Sequence, residues 1–188
     1  MHSNIVNVVD MEFNELPDLT LTTIEIGITF VDIKSLQILK TYSLPIQTKE
    51  EISPTIIELT GWTNKELWKK GMHLEEACRR IRDLYGGKGR LVVTDSNNEF
   101  EILKRECFLL NMLFPFNHSL FNVGTMFNLY SGNHESIGLE EMMRELDITP
   151  AGRPHRADSD SYNIAQVFIE LTRRLRGDIL ETSIGGLS

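Results

Sequence analysis

The run Ile5-Val6-Asn7-Val8-Val9 is short, apolar and β-branched, and it ends at Asp10, the pattern of a buried strand. A loop with Pro17 and Asp18 follows. Ile24, Ile26, Ile28 and Phe30 then alternate with Glu25, Gly27, Thr29 and Val31, the two-residue period of a half-buried strand. Asp32-Ile33-Lys34-Ser35 reads as a turn. Leu36, Ile38, Tyr42, Leu44 and Ile46 share one parity, interrupted at Lys40. Three strands with short connections predict an antiparallel meander.

Beyond this point the period changes. Ser53-Pro54 opens a helical stretch that Gly61 stops, and Thr63 with Glu66 has the spacing of a capping box, so a new helix starts there. Leu74, Cys78, Ile81 and Tyr85 recur at helical spacing before Gly86-Gly87. Arg90 to Thr94 is a short strand, Phe100 to Leu110 a helix, and Leu120 to Val123 a fifth strand. Helices are predicted from Ile137 to Leu146 and around Ile164, Val167, Phe168, Leu171 and Leu175. A meander followed by strands alternating with helices implies a mixed sheet covered by helices. The pattern stops after Arg176, which predicts one domain over residues 1–176 and a flexible tail over 177–188.

Composition narrows the function. At 188 residues with 41% hydrophobic positions, the chain can bury a sizeable core and is not intrinsically disordered. No apolar run approaches the roughly 20 residues of a membrane span. The net charge of −8 argues against gripping nucleic acid by bulk positive charge, but it leaves open a nucleic-acid enzyme whose acids hold metal ions. Cys78 and Cys107 fall inside helical apolar patterns and read as small buried hydrophobes rather than a disulfide framework or zinc knuckle. The first residues show no signal-peptide core, so a cytoplasmic location is the default expectation.

Three stretches could carry chemistry. In Asp10-Met11-Glu12, residues two apart on a strand point to one face, so two carboxylates project side by side. Their repulsion is relieved by a hard divalent cation. In His155-Arg156-Ala157-Asp158-Ser159-Asp160, Asp160 falls in the first turn of the last helix and His155 in the loop before it. An imidazole there can serve as general base. Thr94-Asp95-Ser96-Asn97-Asn98-Glu99 lies between a strand and a helix and offers two acids and two amides, although these residue types also cap helices. Four carboxylates and one histidine at strand ends and helix starts are the inventory of two-metal phosphodiester hydrolysis.

The chain resembles the DEDDh 3′–5′ exonucleases of the ribonuclease H-like fold, and within them the Eri-type and KapD-like branch. The match runs from about Ile5 to Leu175. It rests on the D-x-E of Val8-Val9-Asp10-Met11-Glu12-Phe13, on Ile24-Glu25-Ile26-Gly27, on Pro54 to Thr63 with its Leu59-Thr60-Gly61-Trp62, and on the H-x-x-x-x-D of His155 and Asp160. Counted back from Cys107, the second-motif acid is Glu99, where the family has Asp, with Asp95 and Asn98 as alternatives.

The resemblance implies a five-stranded mixed sheet flanked by helices. It implies two Mg²⁺ or Mn²⁺ ions held by Asp10, Glu12, Glu99 and Asp160, with His155 taking a proton from the attacking water. The expected activity is 3′–5′ removal of nucleoside 5′-monophosphates from single-stranded RNA or DNA. Met11, Phe13, Leu59, Thr60 and Trp62 are candidates to hold the terminal nucleotide, since apolar and aromatic surfaces stack on unpaired bases. The partner is a nucleic-acid 3′ end and not a membrane, and relatives that dimerise leave a homodimer open. Two other readings stand beside this one. In the first, Glu99 weakens the site and the domain binds nucleic acid or protein. In the second, the chain is an interaction module without nuclease ancestry.

Overall fold

A computed structural model describes residues 4–116, 119–132, 134–135 and 137–185, with side chains through residue 177. The long strand β1 (Ile5–Glu15) pairs antiparallel with β2 (Leu21–Asp32), and β2 pairs antiparallel with β3 (Gln37–Pro45). On its other side β1 pairs in parallel with β4 (Val92–Thr94), and β4 with β5 (Leu120–Asn122). The sheet order is β3-β2-β1-β4-β5, the mixed five-stranded sheet that the resemblance implies.

Between β3 and β4 lie α1 (Pro54–Thr60), α2 (Asn64–Lys70) and α3 (Leu74–Asp83). Ser53 caps α1, and Gly61 closes it in the left-handed region at φ 73°, where a Cβ would be strained. The capping box of Thr63 and Glu66 forms as its spacing predicts. Helix α4 (Asn98–Leu109) follows β4; α5 (Val123–Ser131) and α6 (Leu139–Glu145) follow β5; α7 (Ala157–Gly185) closes the chain.

β1 is buried on both faces, which is why it reads as an unbroken apolar run. Val6 and Val8 pack with Ile164, Val167 and Leu171 of α7. Val9 and Met11 pack with Cys78 and Ile81 of α3 and Phe100 and Leu103 of α4. Each such large side chain buried contributes about 1.5–3 kcal/mol. Cys78 and Cys107 are buried as expected, and the packing of α3 against α4 brings their sulfurs to 4.0 Å.

The structure differs from the sequence pattern in three places. β1 continues five residues past Asp10, because its polar residues stay paired with β2. Helix α5 was not predicted: it starts directly at the end of β5, capped by Asn122 Oδ1 on Thr125 N–H at 2.8 Å. α7 runs past Arg176 to Gly185, into the stretch 177–188 expected as a tail, of which 186–188 lie outside the described residues. No helix among the described residues is long and apolar enough to cross a membrane.

Candidate active site

On the α7 side of the sheet, Asp10 faces Gly27 and Glu12 faces Glu25 across β1 and β2. A register shift follows at once, between Glu12 and Phe13, the kind of bulge that re-aims side chains beside active sites. The first turn of α7 brings Asp160 to this face, and the start of α4 brings Glu99. Asp10, Glu12, Asp95, Glu99, His155 and Asp160 line one cleft of about 520 Å³.

The acids converge as two trios. Carboxylate oxygens of Asp10, Glu12 and Asp160 lie within 4.8 Å of one another, and so do those of Asp10, Asp95 and Glu99. Asp10 belongs to both. It is 7% exposed, and its Oδ2 is buried with no hydrogen-bond partner, as is Oδ1 of Asp95. Buried carboxylate oxygens left unpaired are costly, and divalent cations favour this oxygen-rich donor set. The residues therefore fit a divalent cation.

The electrostatics agree. Burial raises the Asp10 carboxyl well above its usual range, and Glu99, Asp95, Glu12 and Asp160 push it further. Burial, then Asp160 and Glu25, raises Glu12 to about 8, against the lowering influence of Arg156. Burial and Asp95 raise Glu99 to about 9, opposed by the Met11 backbone N–H that its Oε2 accepts at 3.0 Å. Burial raises Asp160 to about 6, opposed by the backbone N–H of His155 and by the His155 ring. Mutual repulsion of this kind marks sites built around a positive charge.

His155 is exposed at the edge of the cleft in the left-handed region at φ 57°, a conformation worth roughly 1–3 kcal/mol of strain that the surrounding loop must hold. Just before it, Arg153 donates to the carbonyls of Glu58 and Leu59 at the end of α1. Just after it, Arg156 makes a two-pronged ion pair with buried Glu25.

The nucleotide-holding candidates part company. Met11 lines the cleft, but its side chain sits in the α3–α4 core. Thr60 is fully buried, donating to the Ile56 carbonyl, and Leu59 is 41% exposed. Trp62 turns inward, because its indole N–H donates to Glu25 at 2.8 Å while its ring lies under the Arg156 guanidinium. It offers no open face for a base. Phe13, Leu59, Thr60 and Trp62 do not line the acidic cleft. Asn98 is exposed away from the cleft, whereas Asp95 lies in it. Ile24-Glu25-Ile26-Gly27 carries part of the resemblance, but sequence reasoning gave Glu25 no task, although an acid between Ile24 and Ile26 in a buried strand was the available signal.

A family model described as Exonuclease, RNase_T, matches residues 8–168. The chain belongs to this exonuclease family. It is similar to the probable 3′-5′ exonuclease KapD of Bacillus subtilis (strain 168), 23% identical over 179 residues, which covers 89% of this chain and 84% of KapD. Among solved structures, it is similar to the nuclease domain of 3′hExo, a DEDDh family member bound to rAMP (TM-score 0.83, 20% identity, 92% of this chain and 94% of that one). It is equally similar to a 3′-exonuclease in a structure of histone mRNA stem-loop recognition (TM-score 0.83, 20% identity), covering 92% of this chain and 65% of that longer one. Pop2p of S. pombe, in a Mg²⁺- and Mn²⁺-bound form, superposes at a TM-score of 0.64 with 18% identity, over 89% of this chain and 83% of Pop2p.

Proposed function

We propose that this exonuclease-family chain removes nucleoside 5′-monophosphates from the 3′ end of single-stranded RNA or DNA, using two divalent cations. The observation that carries the reading is the position of Asp10 in both acid trios, with one buried oxygen unpartnered.

In this reading Asp10, Glu12 and Asp160 would hold one Mg²⁺ or Mn²⁺, and Asp10, Asp95 and Glu99 the other. When bound, such a pair supplies Lewis acidity at the scissile phosphate and charge stabilisation for the leaving oxygen. His155, at the edge of the cleft, takes a proton from the attacking water on a ring nitrogen. The new bond joins that water oxygen to phosphorus, and the bond from phosphorus to the 3′ oxygen breaks. General-base help of this kind is worth about 10²–10⁴-fold in rate. Leu59, exposed at the end of α1 beside the Arg153 loop, remains the candidate to touch the terminal nucleotide. The catalytic unit is residues 1–176, since the cleft residues all precede 177.

In the weakened-domain alternative Glu99 spoils the site and the domain only binds; what speaks for the active reading is that the Glu99 carboxylate stands in the Asp10 cluster. The test is cation-dependent release of mononucleotides from labelled single-stranded RNA and DNA, compared with Asp10→Ala. Equal behaviour of wild type and variant would overturn the reading.

A further inference from the structure

Glu25 is fully buried and lies outside the acidic cleft, although it faces Glu12 across the strand pair. Both of its oxygens are occupied. Oε1 accepts the Ser43 hydroxyl at 2.5 Å and Arg156 Nη2 at 3.1 Å. Oε2 accepts the Trp62 indole N–H at 2.8 Å, Arg156 Nε at 3.0 Å and the Ala157 backbone N–H at 3.2 Å. Three of these five bonds come from Arg156 and Ala157, the two residues that follow His155 and open α7.

Two positions further along β2, on the same face, Gly27 lies beneath the same turn. A Cβ there would stand 1.8 Å from the Ala157 carbonyl oxygen and 2.6 Å from the Asp158 nitrogen. Only glycine allows that approach. The Glu25-Ile26-Gly27 segment therefore seats the start of α7 twice, by a charged clamp and by the absence of a side chain. The clamp acts on a segment with His155 at one end, in its left-handed conformation, and Asp160 one turn into the helix.

The geometry points to Glu25 as a positioning residue: through Arg156 and Ala157 it sets where His155 and Asp160 stand relative to Asp10 and Glu12. The inference rests on the exonuclease reading above. It assigns a task to the second-strand motif that the metal chemistry leaves unused. A buried ion pair can also serve stability alone, and the test must separate the two roles.

Wild type, Glu25→Gln and Arg156→Lys are compared in Mn²⁺ at a temperature where circular dichroism shows each fully folded. Ile81→Val, a core change in α3, supplies a loss of stability that does not touch the clamp. kcat and KM are read on a labelled single strand. The His155 imidazole is read by NMR, its signal identified by its loss in His155→Ala. A misplacement on the order of 1 Å can cost about a hundredfold in rate. We expect kcat to fall about 10–100-fold in Glu25→Gln with KM changed less than about threefold, and less steeply in Arg156→Lys. The imidazole signal should move in both variants and stay in place in Ile81→Val. An unchanged kcat per folded molecule, or an unmoved imidazole signal, would overturn the positioning role. If wild type releases no nucleotide at all, the exonuclease reading fails, and the imidazole comparison still reports whether Glu25 sets His155.

Discussion

The Glu99 carboxylate accepts the Met11 backbone N–H at 3.0 Å, joining the start of α4 to the middle of β1. The Asn7 N–H points toward β4 and is taken by the Leu91 carbonyl, but β4 pairs with β1 only at Asn7 and Val8. Further along β1, the Met11 N–H is met by a side chain instead of a strand. From sequence alone, Glu99→Asp is expected to keep or raise activity, because Asp is the family residue. The Met11 bond reverses that expectation. The shorter side chain cannot keep this bond and stay in the Asp10 cluster. We expect stability to fall by about 1 kcal/mol and turnover by about tenfold, read from denaturant unfolding and strand degradation. Equal or higher turnover in Glu99→Asp would show that the Met11 contact is dispensable.

Asp95 follows strand β4, where its Oδ1 is buried without a partner among the oxygens around Asp10. Asp95→Asn keeps the shape and removes the charge. We expect Mn²⁺ binding to weaken by about tenfold, equivalent to roughly 1.4 kcal/mol, as measured by titration calorimetry. Unchanged affinity would leave Asp95 as a helix-start residue without a share in the ions.

His155 is exposed and contributes no ligand atom to either trio. His155→Ala should therefore lower turnover about 10²–10⁴-fold while Mn²⁺ affinity stays within about threefold. A parallel loss of both would make His155 a ligand rather than a base.

The raised acids predict a pH signature in the cation-free protein. In the unfolded chain these carboxyls lose their protons near pH 4. In the folded chain Asp160 does so at about 6, Glu12 at about 8 and Glu99 at about 9. The unfolded state thus holds fewer protons between those limits, and stability falls as pH rises through them. Bound cations take over from the protons at high pH. Melting in EDTA should drop steadily from pH 5 to pH 9, and the increment added by Mg²⁺ should grow over the same range. An equal increment at pH 5 and pH 8 would contradict the raised carboxyls.

The sheet was legible because Ile5 to Val9 and Ile24 to Val31 carry unambiguous periods, and the D-x-E spacing marked Asp10 and Glu12 at once. Helix α5 was not, since Val123 and Phe127 alone are buried in it and no polar interval separates it from β5. Trp62 shows a second limit. Sequence marks an aromatic beside a glycine, but only the fold shows that Glu25 draws its indole inward. The contact between Cys78 and Cys107 was hidden for a similar reason: it depends on how α3 and α4 cross the sheet.

The central claim is that Asp10 joins two cation sites. Titration calorimetry of EDTA-stripped protein with Mn²⁺ tests it most directly. Two bound ions per chain in wild type, with binding lost or reduced to one weak ion in Asp10→Asn, is the predicted result. No ion uptake by wild type, or the same uptake by Asp10→Asn, would contradict the account.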